Sequence, residues 1–103
     1  MESERWVSAH GFPNYLVSCK GRIKSVKGKL KKFYDVNGYW KVNLYKKGKE
    51  YKIRVNRIVK MSFAYRDNAD QMDVDHINFD RKDNDLSNLR WSQPKKNRSR
   101  KNV

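Results

Sequence analysis

The sequence predicts an α+β fold: a small N-terminal antiparallel sheet plus one helix, followed by a compact strand–loop–strand–helix unit. Three observations carry that expectation. Short β-rich runs punctuated by glycine turns reach as far as residue 54, an apolar stripe of helical period follows at 55–63, and an Asn- and Asp-rich loop then separates two more short β runs.

The first runs are Tyr15-Leu16-Val17 and Arg22-Ile23-Lys24-Ser25-Val26, parted by the turn signal Cys19-Lys20-Gly21. Lys27-Gly28 sits between Val26 and Leu30 as a hairpin turn, and Asn37-Gly38 opens the clearest strand, Tyr39 to Tyr45. There Trp40, Val42 and Leu44 alternate with Tyr39, Lys41, Asn43 and Tyr45, so one face belongs to the core and the other is aromatic and basic. Lys47-Gly48 turns the chain into Tyr51-Lys52-Ile53-Arg54. Val55, Ile58, Val59, Ser62 and Phe63 then recur at helical spacing, which predicts a helix over about 55–65 with Arg57 and Lys60 directed away from the core. Residues 1–66 thus read as an N-terminal module and 67–103 as a second unit.

In that second unit Met72 to Ile77 reads as a strand, 78–88 as a polar loop, and Leu89-Arg90-Trp91 as a returning strand. Ser92 suits an N-cap and Pro94 the first turn of a helix over about 93–102. Trp6, Trp40 and Trp91 are expected as core anchors, Cys19 as a strand filler, and His10 as a surface residue.

Composition narrows the function classes. The 103 residues are 37% hydrophobic and 35% charged, enough for one modest core. No apolar run approaches a membrane span, and no signal-peptide pattern is present. A lone cysteine fits a reducing cytoplasm, and one Cys with two distant His cannot supply a four-ligand zinc site. The net charge of +14 is unevenly spread: residues 20–60 carry +13, residues 95–103 carry +5, and residues 61–94 between them carry −3. Two basic flanks around an acidic island suit a polyanion held on either side of a cation site, with nucleic acid as the expected partner. Its phosphates would meet Arg22, Lys24, Lys27, Lys29, Lys41, Lys52 and Arg54 from the first half, and Lys95, Lys96, Arg98 and Arg100 from the end.

The candidate chemistry lies in the last third. Asp75-His76 is followed twelve residues after the histidine by Asn88, and nine further on by Asn97. In a strand–loop–strand–helix hairpin the end of the first strand faces the first helical turn, which brings Asp75 and Asn97 together with His76 beside them. A carboxylate and an amide oxygen are hard ligands suited to one divalent cation, Mg²⁺ or Mn²⁺. A neutral imidazole can take the proton of a water attacking phosphorus, and the Asn88 side-chain carbonyl can accept from the other ring nitrogen and set the tautomer. No small-molecule cofactor is expected.

Val74-Asp75-His76-Ile77, Asp83-Asn84, Leu86-Ser87-Asn88-Leu89-Arg90-Trp91 and Asn97 resemble the motif of HNH endonucleases, the ββα-metal or His-Me finger nucleases, and most closely those of phage intron-encoded homing enzymes. Trp6, Tyr15, Val17-Ser18, Gly21 to Ser25, Gly38-Tyr39, Val42, Leu44 and Val55 to Val59 resemble the N-terminal module that precedes HNH in that group. The resemblance implies that Asp75 and Asn97 bind the metal, that His76 is the general base, that Asn88 supports the loop and the histidine, and that the partner is double-stranded DNA. Asn56 stands where relatives often carry histidine and is read as structural. With the motif present once and no dedicated dimer surface, a monomer that nicks one strand is expected. The alternative is a non-catalytic nucleic-acid-binding protein, or a phage packaging or architectural factor, that keeps the HNH shape.

Overall fold

The protein is represented by a computed structural model that describes residues 3–93. Its strands are β1 (Trp6–Ala9), β2 (Phe12–Ser18), β3 (Ile23–Ser25), β4 (Tyr34–Val36), β5 (Tyr39–Lys46), β6 (Lys49–Arg54), β7 (Asp73–His76) and β8 (Leu89–Ser92), with one helix, α1 (Val55–Phe63). They form three antiparallel sheets in the orders β1-β2-β3, β4-β5-β6 and β7-β8. The α+β expectation is met, and every β run anticipated from the sequence lies on a strand. Two strands went unanticipated: β4, with three residues, and β1, with four, are too short for alternation to be read. The helix expected at about 93–102 lies outside the described residues, as does Asn97.

The core is one cluster spanning both halves of the chain. Val17 and Ile23 of the first sheet, Val42 and Leu44 of the second, and Val55, Ile58 and Val59 of the helix are buried together with Leu89 of the last hairpin. Val74 and Leu86 pack against the same cluster. The alternation read in β5 holds: Val42 and Leu44 are fully buried, while Tyr45 on the other face is exposed.

Arg57 and Lys60 depart from expectation. They leave the apolar stripe as predicted, yet they are spent on the second unit and not on solvent. The Arg57 guanidinium donates to the Met72 carbonyl at 2.7 Å and to that of Ala69, and Lys60 Nζ donates to the Leu89 carbonyl at 3.1 Å. These carbonyls flank the 3-10 turn Ala69–Gln71 and begin β8, so the two cationic side chains tie the helix to the backbone of the second unit. Burial, and then the Arg66 charge, pushes Lys60 below the usual lysine range. Trp91 closes the same seam, its indole N–H donating to the Ala64 carbonyl at 2.8 Å.

Candidate active site

The β7–β8 hairpin sets the site. Asp75 pairs with Arg90 and His76 with Leu89, so the Asp-His dipeptide lies at the end of a two-stranded ladder. Neighbouring strand residues ordinarily face opposite ways. Here His76 is the last residue of β7, and it and Asp75 both line a cavity of about 300 Å³ closed by Tyr39, Val74, Phe79, Arg81 and Arg90. His76 is 8% exposed. A second cavity, about 170 Å³, lies against Asp75 and Asp73 and is lined also by Tyr39, Arg54, Asn56 and Arg57. In its wall Asn56, from the first turn of α1, donates through Nδ2 to the Val74 carbonyl at 3.1 Å, while its buried Oδ1 has no hydrogen-bond partner among the described residues.

The histidine's ring is held by an asparagine other than the expected one. His76 Nε2 lies 2.8 Å from Asn84 Oδ1, both residues buried. An amide oxygen at that nitrogen calls for the proton on Nε2 and leaves the lone pair on Nδ1. Asn88 is committed elsewhere. Its Oδ1 accepts from the Asn78 backbone at 3.0 Å, and its Nδ2 donates to Asn78 Oδ1 and to the Asp83 carbonyl at 3.0 and 2.9 Å. Both of its N–H donors and its Oδ1 are engaged by the loop it closes, and Asn84 holds the ring in its place, which corrects the expectation that Asn88 orients the histidine and leaves it a loop clamp.

Part of the acidic island is committed in the same way. Asp80, Asp83 and Asp85 carboxylates accept the backbone N–H groups of Lys82, Asp85 and Ser87 at 3.0, 3.3 and 3.1 Å. These are local turns of the kind Asp favours, so the negative charge at 80–85 shapes the loop. Of the acidic residues in the island, only Asp75 lines both cavities.

The loop rests on turns of the N-terminal half. Leu86 N–H donates to the Cys19 carbonyl at 2.7 Å, Lys82 Nζ meets Asp35 Oδ2 at 3.0 Å, and Arg81 donates to the Asn37 carbonyl at 3.1 Å. The Lys82 hydrogen bond, helped by the Gly38 N–H, holds Asp35 below the usual carboxylate range. Gly21 makes the closest approach: with φ of +86°, a Cβ there would stand 2.7 Å from the Asn84 carbonyl oxygen. The residue that holds the histidine is thus seated on a glycine 63 positions upstream by number.

The basic residues named from sequence divide three ways. Lys41 pairs with Arg54 and Asn43 with Lys52 across β5 and β6, which gathers Lys41, Lys52 and Arg54 on one sheet face. Arg54 lies 4.0 Å from the centre of the Tyr39 ring, linking this face to both cavities. Lys27 and Lys29 are exposed in the turn after β3. Arg22 is instead held in a fork by Glu4, at 2.9 and 2.6 Å, and sits with Lys24 over Trp6. Its charge is locally answered, and the Arg22 and Ser18 hydrogen bonds lower the Glu4 carboxyl to about 2. Lys95, Lys96, Arg98 and Arg100 lie outside the described residues. Sequence reasoning missed Arg81, which lines the cavity, and gave no role to Asn84 or to Arg90, although both lie in the stretches that resemble the family motif.

Comparison with known proteins agrees with this architecture. Residues 63–99 match the family model described as HNH endonuclease, and residues 4–45 match the NUMOD4 motif. Two uncharacterized HNH endonucleases of Acanthamoeba polyphaga mimivirus are 31% and 29% identical over 86 and 82 residues, or 82% and 78% of this chain. The chain spans only 26% and 21% of their lengths. A solved structure, described as DNA binding and cleavage by the HNH homing endonuclease I-HmuI, superposes with a TM-score of 0.77 at 30% identity. That match covers 96% of this chain and 60% of the other.

Proposed function

We propose that this chain, whose residues 63–99 match the HNH endonuclease family model behind a NUMOD4 motif, is a metal-dependent DNA endonuclease of the HNH family that hydrolyses one phosphodiester bond at a time. The observation that carries this reading is the buried His76, fixed through Nε2 by Asn84 and opening with Asp75 onto a cavity bordered by Arg81 and Arg90.

The donor set fits a hard cation. Asp75 offers carboxylate oxygen to a cavity of about 300 Å³, room for an ion that keeps most of its waters. Asn97 is proposed as the second protein ligand. Such an ion, when bound, supplies charge neutralisation at the scissile phosphate and the departing 3′ oxygen. His76 takes the proton of the attacking water at Nδ1, because Asn84 keeps Nε2–H occupied. Arg81 and Arg90 attract and orient phosphate oxygens at the cavity mouth. The β5–β6 face, with Lys41, Lys52 and Arg54, carries the flanking backbone, and Arg54 over Tyr39 leads it to the cavity.

Supercoiled plasmid incubated with Mg²⁺ or Mn²⁺, with and without EDTA, tests the proposal. Metal-dependent conversion to open circles supports it. Binding without conversion under every metal tried defeats it in favour of a non-catalytic DNA-binding protein.

A further inference from the structure

Phe79 is 91% exposed, far more than any other large apolar residue among those described; Val26 follows at 54%. Isolated exposed apolar side chains are common and by themselves mean little. Phe79 differs in two ways. Its φ is +66°, a left-handed conformation that a bulky aromatic residue seldom adopts. It also lines the cavity that holds Asp75 and His76, three residues beyond the histidine.

The loop holds this conformation from both sides. Phe79 N–H donates to the His76 carbonyl at 3.0 Å, and Asp80 N–H donates to Asn78 Oδ1 at 2.8 Å. Asn78 is in turn clamped by Asn88. These bonds close the turn, but the ring that the turn carries stands out in water in an unfavourable backbone region, where its apolar surface adds nothing to the core. The neighbouring Ile77, 49% exposed, extends the apolar tip.

We propose that Phe79 is a wedge that enters the base stack beside the phosphate presented to His76, unstacking one step and bending the duplex. The inference rests on the nuclease reading above. The occupant is a DNA base step because Phe79 lines the same cavity as Arg81 and Arg90, so a strand that seats its backbone on those cations brings its bases beside the ring. A loop whose backbone is already held by these hydrogen bonds also avoids the ordering cost that a mobile loop would incur on binding.

The test begins by mapping the nick on a short duplex, then placing 2-aminopurine at each flanking step. Phe79→Asn removes the ring while asparagine tolerates positive φ well, so the fold is retained and thermal melting checks it. Wild type bound in EDTA should brighten 2-aminopurine at one step. Phe79→Asn should lose that signal, bind within about threefold, and cut matched duplex at least about tenfold more slowly. A mismatch at that step should restore its cutting to within about threefold, and Phe79→Trp should keep both signal and rate. Phe79→Asn cutting matched DNA at the wild-type rate overturns the wedge alone, as does a defect that the mismatch leaves unrepaired, which would indicate an ordinary loop role or a protein partner. Wild type that cuts no duplex overturns the nuclease reading and the wedge with it.

Discussion

His76 and Asn84 form the smallest unit with a testable chemistry. Replacing His76 by Ala removes the proton acceptor and should slow cleavage by about 10²–10⁴-fold, with Mn²⁺ and DNA affinities nearly unchanged. Single-turnover rates beside calorimetric titrations check this, and a variant within about tenfold of wild type removes the histidine from the mechanism. Asn84 acts one step further back, through the ring it holds at 2.8 Å. Asn84→Leu frees the imidazole to adopt either tautomer and should cost about 10- to 100-fold in rate, the range seen when a partner that orients a functional histidine is lost. Asn84→Asp, which still accepts from Nε2–H, should recover most of that loss and shift the pH profile, because the added charge favours imidazolium. Ring ¹⁵N shifts of His76 in the two variants report the tautomer directly. Asn88→Ala should act differently, loosening the loop and lowering the melting temperature together with the rate, since its amide closes the Asn78–Asp83 turn.

At the scale of elements, the site is a loop propped between two turns. Gly21 permits the contact, because a Cβ there meets the Asn84 carbonyl oxygen at 2.7 Å and the backbone already sits at φ +86°. Gly48, at φ +77°, has nothing within 4 Å of the same position. Both alanine variants incur the left-handed strain of roughly 1–2 kcal/mol. Only Gly21→Ala must also displace the backbone of Asn84, so it alone should lower the cleavage rate beyond what its melting shift explains. Equal activity in the two variants would mean that the loop tolerates the displacement. The first strand has its own tether in the Glu4–Arg22 pair at 2.6 Å. Glu4 titrates lower in the folded protein than its ordinary 4.5, at about 2, so the tether contributes fully above pH 4.5 and is lost as the pH falls towards 2. The Glu4 carboxyl ¹³C shift, followed through an acid titration, should move with a midpoint near the lower value. A midpoint near 4.5 would show that the pair is not formed in solution.

The whole molecule is an electrostatic object of net charge +14. With phosphate contacts drawn from the β5–β6 face, the 25–29 turn and the basic end of the chain, DNA affinity should fall steeply with salt. About five to eight neutralised phosphates give a log–log slope of roughly −4 to −7. Arg22, already answered by Glu4, should contribute little to it, so Arg22→Ala should leave the slope unchanged while Arg54→Ala reduces it by about one. A flat salt response would contradict a phosphate-dominated interface. One Asp75–His76 pair aligns one phosphate, so on supercoiled plasmid open circles should accumulate first and linear DNA late, through independent second nicks. Linear product rising from the earliest points, with the square of protein concentration, would identify a dimer as the active unit.

The sequence by itself determined whatever rests on local period and local chemistry. The alternation in Tyr39–Tyr45, the stripe at Val55, Ile58 and Val59 and the glycine turns each bias their own neighbourhood strongly enough to be read there. The order of Asp75-His76, Asn88 and Asn97 likewise pointed to a family and its chemistry without any coordinates. Tertiary structure alone decided which of several equivalent groups does what. Asn78, Asn84 and Asn88 carry the same amide within eleven residues, and their hydrogen-bonding capacities are identical. Asn84 reaches the histidine because its backbone rests on Gly21, and Asn88 does not because the loop has already used its amide. Arg57 and Lys60 leave the helical stripe as any polar residue would, but only the docking of the last hairpin supplies the carbonyls they bind. The negative charge at 80–85 is indistinguishable in sequence from a cation site, and only the fold shows backbone N–H groups as its partners. A contact between residues far apart in the chain leaves no period for a sequence to display.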